Sequence, residues 1–287
     1  MKKVRGGRTL AGLTAALLLC LAWASPGEAG IGVTVSPSRF RLSKPAGETA
    51  SGKILIQNSG SYPVKISTEV MDMVSRPDEK GLSIRDEAPA GSTSHSCASW
   101  IRIVQEGALV IPAGQSSDLE FVVSPPPEVT AGGYGAYLFI LGQPAENLSK
   151  SGKSGKPEVQ LVTVPRLGIS VVYEVKGTVQ RKGDLTHLDF TPPTASEPLK
   201  IRHGFVNTGN AEVVLTGTFH ILNESNLLVG KGTLRTLKTF PGEKAFMETS
   251  WEQSLPAGRY KMLLTFELGP DSQEAVVREI NFEVPAS

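Results

Sequence analysis

From residue 30 onward, apolar side chains recur at almost every second position. Val64, Ile66, Thr68 and Val70 alternate with Lys65, Ser67 and Glu69, and Leu119, Phe121 and Val123 with Asp118 and Glu120. Further on, Val213, Leu215, Phe219 and Ile221 share a parity against Glu212, Thr216, Thr218 and His220. Tyr260, Met262, Leu264, Phe266 and Leu268 do the same against Lys261, Thr265 and Glu267. A period of two places each set on one face of a half-buried strand. Gly, Pro, Asn and Ser punctuate the runs, and no amphipathic helical stretch interrupts them. Many short strands separated by turn signals predict an all-β chain of antiparallel β-sandwiches.

A weak internal repeat predicts two of them. Asn58-Ser59-Gly60, then Pro112-Ala113-Gly114, then Gly133-Tyr134 in the first half find counterparts in the second. These are Asn207-Thr208-Gly209, then Pro241-Gly242, then Gly258-Arg259-Tyr260. From turn glycine to strand-opening tyrosine is 20 residues in one copy (Gly114 to Tyr134) and 18 in the other (Gly242 to Tyr260). From asparagine to turn proline is 54 against 34, so the first copy holds an insertion. The polar stretch 73–99, with Arg76-Pro77-Asp78-Glu79-Lys80-Gly81, is where an added hairpin or loop fits best. The boundaries expected are 30–178 for the first domain and 179–287 for the second, joined near 175–184.

The first 29 residues read as an address rather than as structure. Lys2, Lys3, Arg5 and Arg8 precede an apolar run centred on Ala15-Ala16-Leu17-Leu18-Leu19, followed by Ala22-Trp23-Ala24 and Gly27-Glu28-Ala29. A basic n-region, a short h-region and small residues at the cut make a secretory signal peptide, cleaved after Ala24 or Ala29. The run is short for a membrane span, which takes about 20 residues. Leu18-Leu19-Cys20 is like a lipoprotein signal, but leucine is too large for that cleavage site. The mature chain is expected to be exported, periplasmic or else at the cell surface, with no stable span.

Charge excludes more than it suggests. Lys+Arg number 29 and Asp+Glu 28, and removing the leader tips the balance slightly acidic, so nothing draws the chain to nucleic acid. With two cysteines and four histidines, a zinc ribbon, a disulfide scaffold and an iron–sulfur protein are excluded. Cys97 is the one thiol left after cleavage and reads as a buried small hydrophobe.

The residues of the first half carry a family resemblance. Gly32-Val33-Thr34-Val35-Ser36-Pro37-Ser38-Arg39, Ile54-Leu55-Ile56-Gln57-Asn58, Pro63-Val64, Pro112-Ala113-Gly114, Gly133-Tyr134-Gly135-Ala136-Tyr137-Leu138 and Ile169-Ser170-Val171-Val172-Tyr173 resemble the N-terminal immunoglobulin-like domain of periplasmic pilus-assembly chaperones, the PapD-like fold. The resemblance covers residues 31–178 and rests on turns and strand ends. The second half is similar to generic exported immunoglobulin-like modules. The fold implied is two immunoglobulin-like sandwiches in tandem after the signal peptide.

The resemblance also implies a mechanism, donor-strand complementation, in which the chaperone lends a strand to an incomplete subunit. The candidate segment is 158–164, with Val159, Leu161, Val162 and Val164 as its apolar positions, after a loop rich in lysine and glycine. An ordinary edge strand is the other reading. The family grips a subunit carboxylate with two basic residues. Arg39 stands where the resemblance puts the first, and Ser170 where it puts the second, a lysine. Arg166, four residues earlier, is a substitute on the same face of a regular strand. A solvated arginine is the alternative for both.

Catalytic signals are poor. Gly152-Lys153-Ser154 lacks the first glycine of a phosphate loop, since Asn147 stands there, and a strand pattern follows. No Gly-x-Ser-x-Gly elbow exists. His95 and Cys97 have no orienting third group, His187, His203 and His220 are dispersed, and no acid pair is identifiable. Trp100 and Trp251 read as core. No catalytic residue, metal or cofactor is expected. Two functions remain: a chaperone-like protein binding an exported pilin-like or other envelope subunit by strand addition, or a structural or adhesive envelope module binding protein or glycan through loops such as 73–99.

Overall fold

The computed structural model describes residues 32–105, 107–145, 164–194, 196–269, 272 and 275–285. The leader expected over residues 1–29 lies outside them. Within the described residues the chain is all-β, with one 3-10 turn at Ala98–Trp100.

Residues 33–175 build two facing sheets. One runs β1 (Val33–Ser36), β3 (Ala50–Asn58), β8 (Ser116–Val123), β6 (Ile101–Ile103). The other runs β2 (Arg39–Lys44), β10 (Arg166–Val175), β9 (Gly133–Pro144), β4 (Val64–Pro77), β5 (Ser83–Ala88), with β7 (Leu109–Ile111) also on β4. Residues 183–284 build a second pair. Its sheets are β11 (Gly183–Thr191), β12 (Leu199–Asn207), β16 (Lys244–Trp251), and β14 (Leu228–Thr233), β13 (Val213–Asn223), β17 (Gly258–Glu267), β18 (Ala275–Val284), with β15 (Leu237–Thr239) on β13.

The period of two decides what is buried. In β3, Ile54 and Ile56 are wholly buried while Leu55 between them is 46% exposed. Ile140, Phe121 and Tyr173 join them in the first core, where Phe40 meets Phe121 edge-on at 5.0 Å. Phe205, Phe219, Leu264 and Phe266 centre the second. Pairing is antiparallel except between β2 and β10, which run parallel. The chain leaves the first sheet at Pro37 and crosses to the edge of the second, so its opening strand lies beside the last strand of the same sandwich. An alternation of apolar residues carries no such strand-direction information.

The sequence repeat marks one hydrogen-bond device used twice. Asn58 is buried at the end of β3; its Nδ2 donates to the carbonyls of Tyr62, Ile111 and Pro112, and its Oδ1 accepts from Gly60 N. Asn207 is buried at the end of β12; its Nδ2 donates to the carbonyls of Ala211 and Thr239, and its Oδ1 accepts from Gly209 N. Each amide ties a strand end to the turn of a distant strand, satisfying carbonyls that would otherwise be buried unpaired.

The polar insertion is a hairpin. β4 runs on to Pro77, turns where Asp78 Oδ1 accepts from Lys80 N and Leu82 N, and returns as β5. Buried Asp72 holds the following loop by accepting from Thr93 N and Ser96 Oγ. The hairpin then reaches the second pair of sheets. Phe246 N donates to Ser83 Oγ at 2.9 Å, and Arg85 pairs with Glu243 at 3.2 Å. Beside it, Phe240 packs on Met73, Val172 and Tyr137. Gly135 leaves room for that ring, since a Cβ there would stand 2.2 Å from Phe240 Cζ.

Candidate partner-binding surface

β2 begins at Arg39, and its register against β10 fixes what Arg39 stands beside. Arg39 opposes Ser170, Ser170 opposes Tyr137 on β9, and Tyr137 opposes Met71 on β4. Opposed residues share a face, so this row crosses the outer face of the sheet. Arg41, two residues on, points the same way.

That face receives Glu212 from the start of β13. Arg39 Nη2 donates to Glu212 Oε2, and Arg41 Nη2 reaches the same oxygen at 3.3 Å. Arg41 Nη1 also donates to Glu174 Oε1 at 3.1 Å, and Arg181 donates to that oxygen as well. Glu212 keeps 3% of its side-chain exposure, whereas Arg39 and Arg41 keep 31% and 27%. The carboxylates are therefore desolvated; the Arg39 and Arg41 guanidiniums that hold them still touch water, while Arg181 is as buried as Glu174. Such a chain of charge-assisted bonds sets the orientation of groups from both halves of the molecule.

Arg166 shares this face but not this site. It lies about 13 Å from Ser170 along the strand at about 3.3 Å per residue. Its guanidinium pairs with Glu69 at 3.0 Å and Glu87 at 2.7 Å and lies 3.5 Å over the Phe139 ring. Arg39 and Arg166 are thus each committed to separate carboxylates of the same chain.

Ahead of Ser170, one side of the β10 backbone meets no strand among the described residues. Gly142 N donates to Pro165 O, so the odd-numbered residues of β10 bond to β9 and the even-numbered ones point away. Ser170 N meets Ser38 O on that outward side. The N–H and C=O groups of Arg166 and Gly168 face it too, and among the described residues no strand pairs with them. Val164, just before this edge, is 42% exposed. Val159, Leu161 and Val162 lie outside the described residues.

No family model matches the chain, and no curated protein matches it. Among solved structures it is similar to the class 5 fimbriae chaperone CfaA, at 10% identity and a TM-score of 0.43 over 88% of this chain and 100% of that one. It is similar to the E. coli chaperone DraB at 12% identity and a TM-score of 0.41, covering 88% and 97%. A chain of the CsuC–CsuE chaperone–tip adhesion subunit complex of Acinetobacter baumannii gives 11% identity and a TM-score of 0.43, covering 86% and 97%.

Sequence reasoning missed the partners that the second half brings to Arg39. Glu212 follows a turn after Asn207 and carries no local signal of burial. Arg41 was findable, since residues two apart on a strand share a face. Cys97 is fully buried with Sγ 3.8 Å from Val171 O, and that burial pushes its thiol up to about 12. His95 is held below its usual range by burial, against an opposing pull from Glu243. Among the described residues no cluster of His, Cys, Asp and Glu is placed to hold a metal, and no helix is long and apolar enough to cross a membrane.

Proposed function

We propose that this chain is an exported, non-catalytic chaperone-like protein that binds an envelope or pilus subunit in the periplasm by strand addition. The observation that carries the reading is the open edge of β10 at Arg166 and Gly168, next to the Arg39 end of β2. An unpaired row of N–H and C=O groups is a template for another chain's strand, with alternate side chains setting specificity. Segment 158–164 precedes that edge in the sequence, and Val159, Leu161, Val162 and Val164 are the apolar positions that it would offer to a subunit. Arg39 stands one residue pair beyond the edge, where a chain terminus would arrive.

The test is capture of a partner from envelope extract by the mature protein. Arg39→Lys and a Leu161→Asp, Val164→Asp double variant run beside it, each checked for an unchanged melt. A pilin-like subunit held by wild type and lost from the double variant supports strand addition. A subunit held equally by all three rejects it.

A second reading, an adhesive module, draws support from a hollow of about 620 Å³ at one end of the second sandwich, lined by Asn223, Asn226, Arg259, Tyr260 and Asn281. Retention of the mature protein on cell wall or glycan, with no subunit captured, would favour it. Residues 73–99, the loop that the sequence offers for this role, have their hairpin engaged with Phe246 and Glu243.

A further inference from the structure

The two sandwiches treat their last strand differently. In the first, the chain crosses over early, and β2 lies parallel along β10 and takes up that edge from Arg39 to Lys44. In the second, β11 stays paired with β12 from Gly183 to Thr191. The last strand, β18, therefore has β17 on one side and no strand on the other among the described residues, over all of Ala275–Val284. At about 3.3 Å per residue that edge is about 30 Å long. Folded proteins shield such an edge or pair it.

The ladder fixes which groups face out. Leu234 N donates to Gly217 O and Asn223 N to Leu227 O, so the odd-numbered residues of β13 bond toward β14 and the even-numbered ones toward β17. His220 opposes Leu263 and Met262 opposes Ile280, so the even-numbered residues of β18 bond to β17. Ala275, Val277, Glu279, Asn281 and Glu283 turn their N–H and C=O groups outward. The Val277 carbonyl there accepts from the strand's own Arg278, Nη1 to O at 2.9 Å. Val277 is 57% exposed, and Val276, Ile280 and Phe282 on the inward face are half-buried against the core.

We propose that β18 pairs antiparallel with β18 of a second copy, about a two-fold axis at Ile280, and joins two second domains into one continuous sheet. This edge lies in the other domain from β10, and the pairing does not rest on the subunit-binding reading. What selects a second copy is the strand's own order of charges. A two-fold axis perpendicular to the sheet keeps each side chain on its face, so only residues of like parity meet. Centred on Arg278 or on Glu279 the pairing sets a charge against its own copy, and centred on Asn281 it sets Glu279 against Glu283. Centred on Ile280 it opposes Glu279 to Asn281, Val277 to Glu283 and Val276 to Val284, with no like charges facing. Arg278 then leaves the Val277 carbonyl to Glu283 N of the second copy and comes beside that copy's Phe282 ring, a favourable cation–ring pair.

Sedimentation equilibrium of the mature protein, from about 1 µM to about 1 mM, should show one copy passing to two as concentration rises. Each variant beside it is checked for an unchanged melt. Asn281→Pro removes an outward N–H that β17 does not use, and proline is tolerated on such an edge. It should weaken the dimer about tenfold or more, since symmetry deletes the bond twice. Val277→Lys sets an ammonium opposite Glu283 and should tighten the dimer about threefold to tenfold, while Val277→Glu should loosen it by as much. A loose apolar association loses affinity with both. For register, Ile280→Cys meets its own copy across the axis at about 4.5 Å between Cβ atoms and forms a disulfide under mild oxidation. Val276→Cys stands about 26 Å from its copy and does not. Cys97 is wholly buried and takes no part. A monomer throughout the concentration range overturns the proposal. So does a dimer that both Val277 variants weaken, that Asn281→Pro leaves intact, or in which Ile280→Cys stays reduced. Monomers whose 275–283 amides gain exchange protection only when envelope extract is added overturn self-pairing in favour of another protein's strand.

Discussion

Removing Glu212 tests whether the two halves are joined through charge. Glu212→Ala deletes a buried carboxylate that accepts from Arg39 and from Arg41 at 3.3 Å. Breaking a buried ion pair by deleting one partner costs about 3–5 kcal/mol, because the other charge is left desolvated and unpaired. Here the orphaned groups are guanidiniums with 31% and 27% of their side chains exposed, and Arg41 keeps Glu174. Water therefore recovers part of the loss, and the expected cost is about 2–3 kcal/mol. For domains of this size that lowers the melting temperature by about 5–10 °C. The measurement is a double-mutant cycle in urea: wild type, Arg39→Ala, Glu212→Ala and both together. Coupling of about 1 kcal/mol or more between residues 173 apart in sequence shows that the pair acts across the domains. If the two single changes add to within about 0.5 kcal/mol, the contact carries no stability and the reasoning fails.

Three further outcomes are expected. His203 is buried with Nδ1 unpartnered against the Phe266 ring at 5.5 Å, and burial lowers its pKa to about 4. The unfolded chain takes up the proton near pH 6.5 and the folded one does not, so stability is full above that pH and falls as pH drops toward 4. Urea midpoints at pH 7 and 4.5 should show about 2.5 kcal/mol more loss in wild type than in His203→Phe; identical pH dependence would refute it. Asn58→Ala and Asn207→Ala should each cost about 2–3 kcal/mol in chemical denaturation, because each strips partners from carbonyls buried at the strand ends. A loss under about 0.5 kcal/mol at either position would mean that water replaces the amide there. With its thiol raised to about 12, Cys97 should resist Ellman's reagent at pH 8 in the folded protein and react once urea unfolds it. Rapid labelling without denaturant would show that the loop around Asp72 opens.

The strands and the repeat were legible in the sequence because each depends on near neighbours in the chain. Alternation needs only positions i and i+2. The asparagine–glycine pairs show because Oδ1 reaches the N–H two residues on, a bond of fixed spacing in both halves. Arg39 was reachable only through resemblance, since an arginine on a short strand has no distinguishing local pattern. The face it meets was illegible for a firmer reason. Glu212 and Phe240 acquire their roles from a docking of two sandwiches, and a glutamate after a turn reads as solvated until its partner is known. The insertion shows the same limit, because Ser83 and Arg85 look like the polar side of a free hairpin and in fact hold Phe246 N and Glu243.

The consequence is that the candidate surface belongs to neither sandwich alone. The edge at Arg166 and Gly168, unpaired among the described residues, comes from the first domain, and Ser170 there provides no cation beside Arg39. Glu212 comes from the second domain and takes up Arg39 and Arg41. Glu212→Ala in the whole chain should therefore keep the outward N–H groups of β10 in place yet free Arg39 from its carboxylate. Strand addition and the charge contact between the domains are then separable by one substitution that leaves the edge untouched. If Glu212→Ala lost subunit capture as fully as the Leu161→Asp, Val164→Asp variant, the edge would not act alone and the contact between the domains would be part of the binding surface.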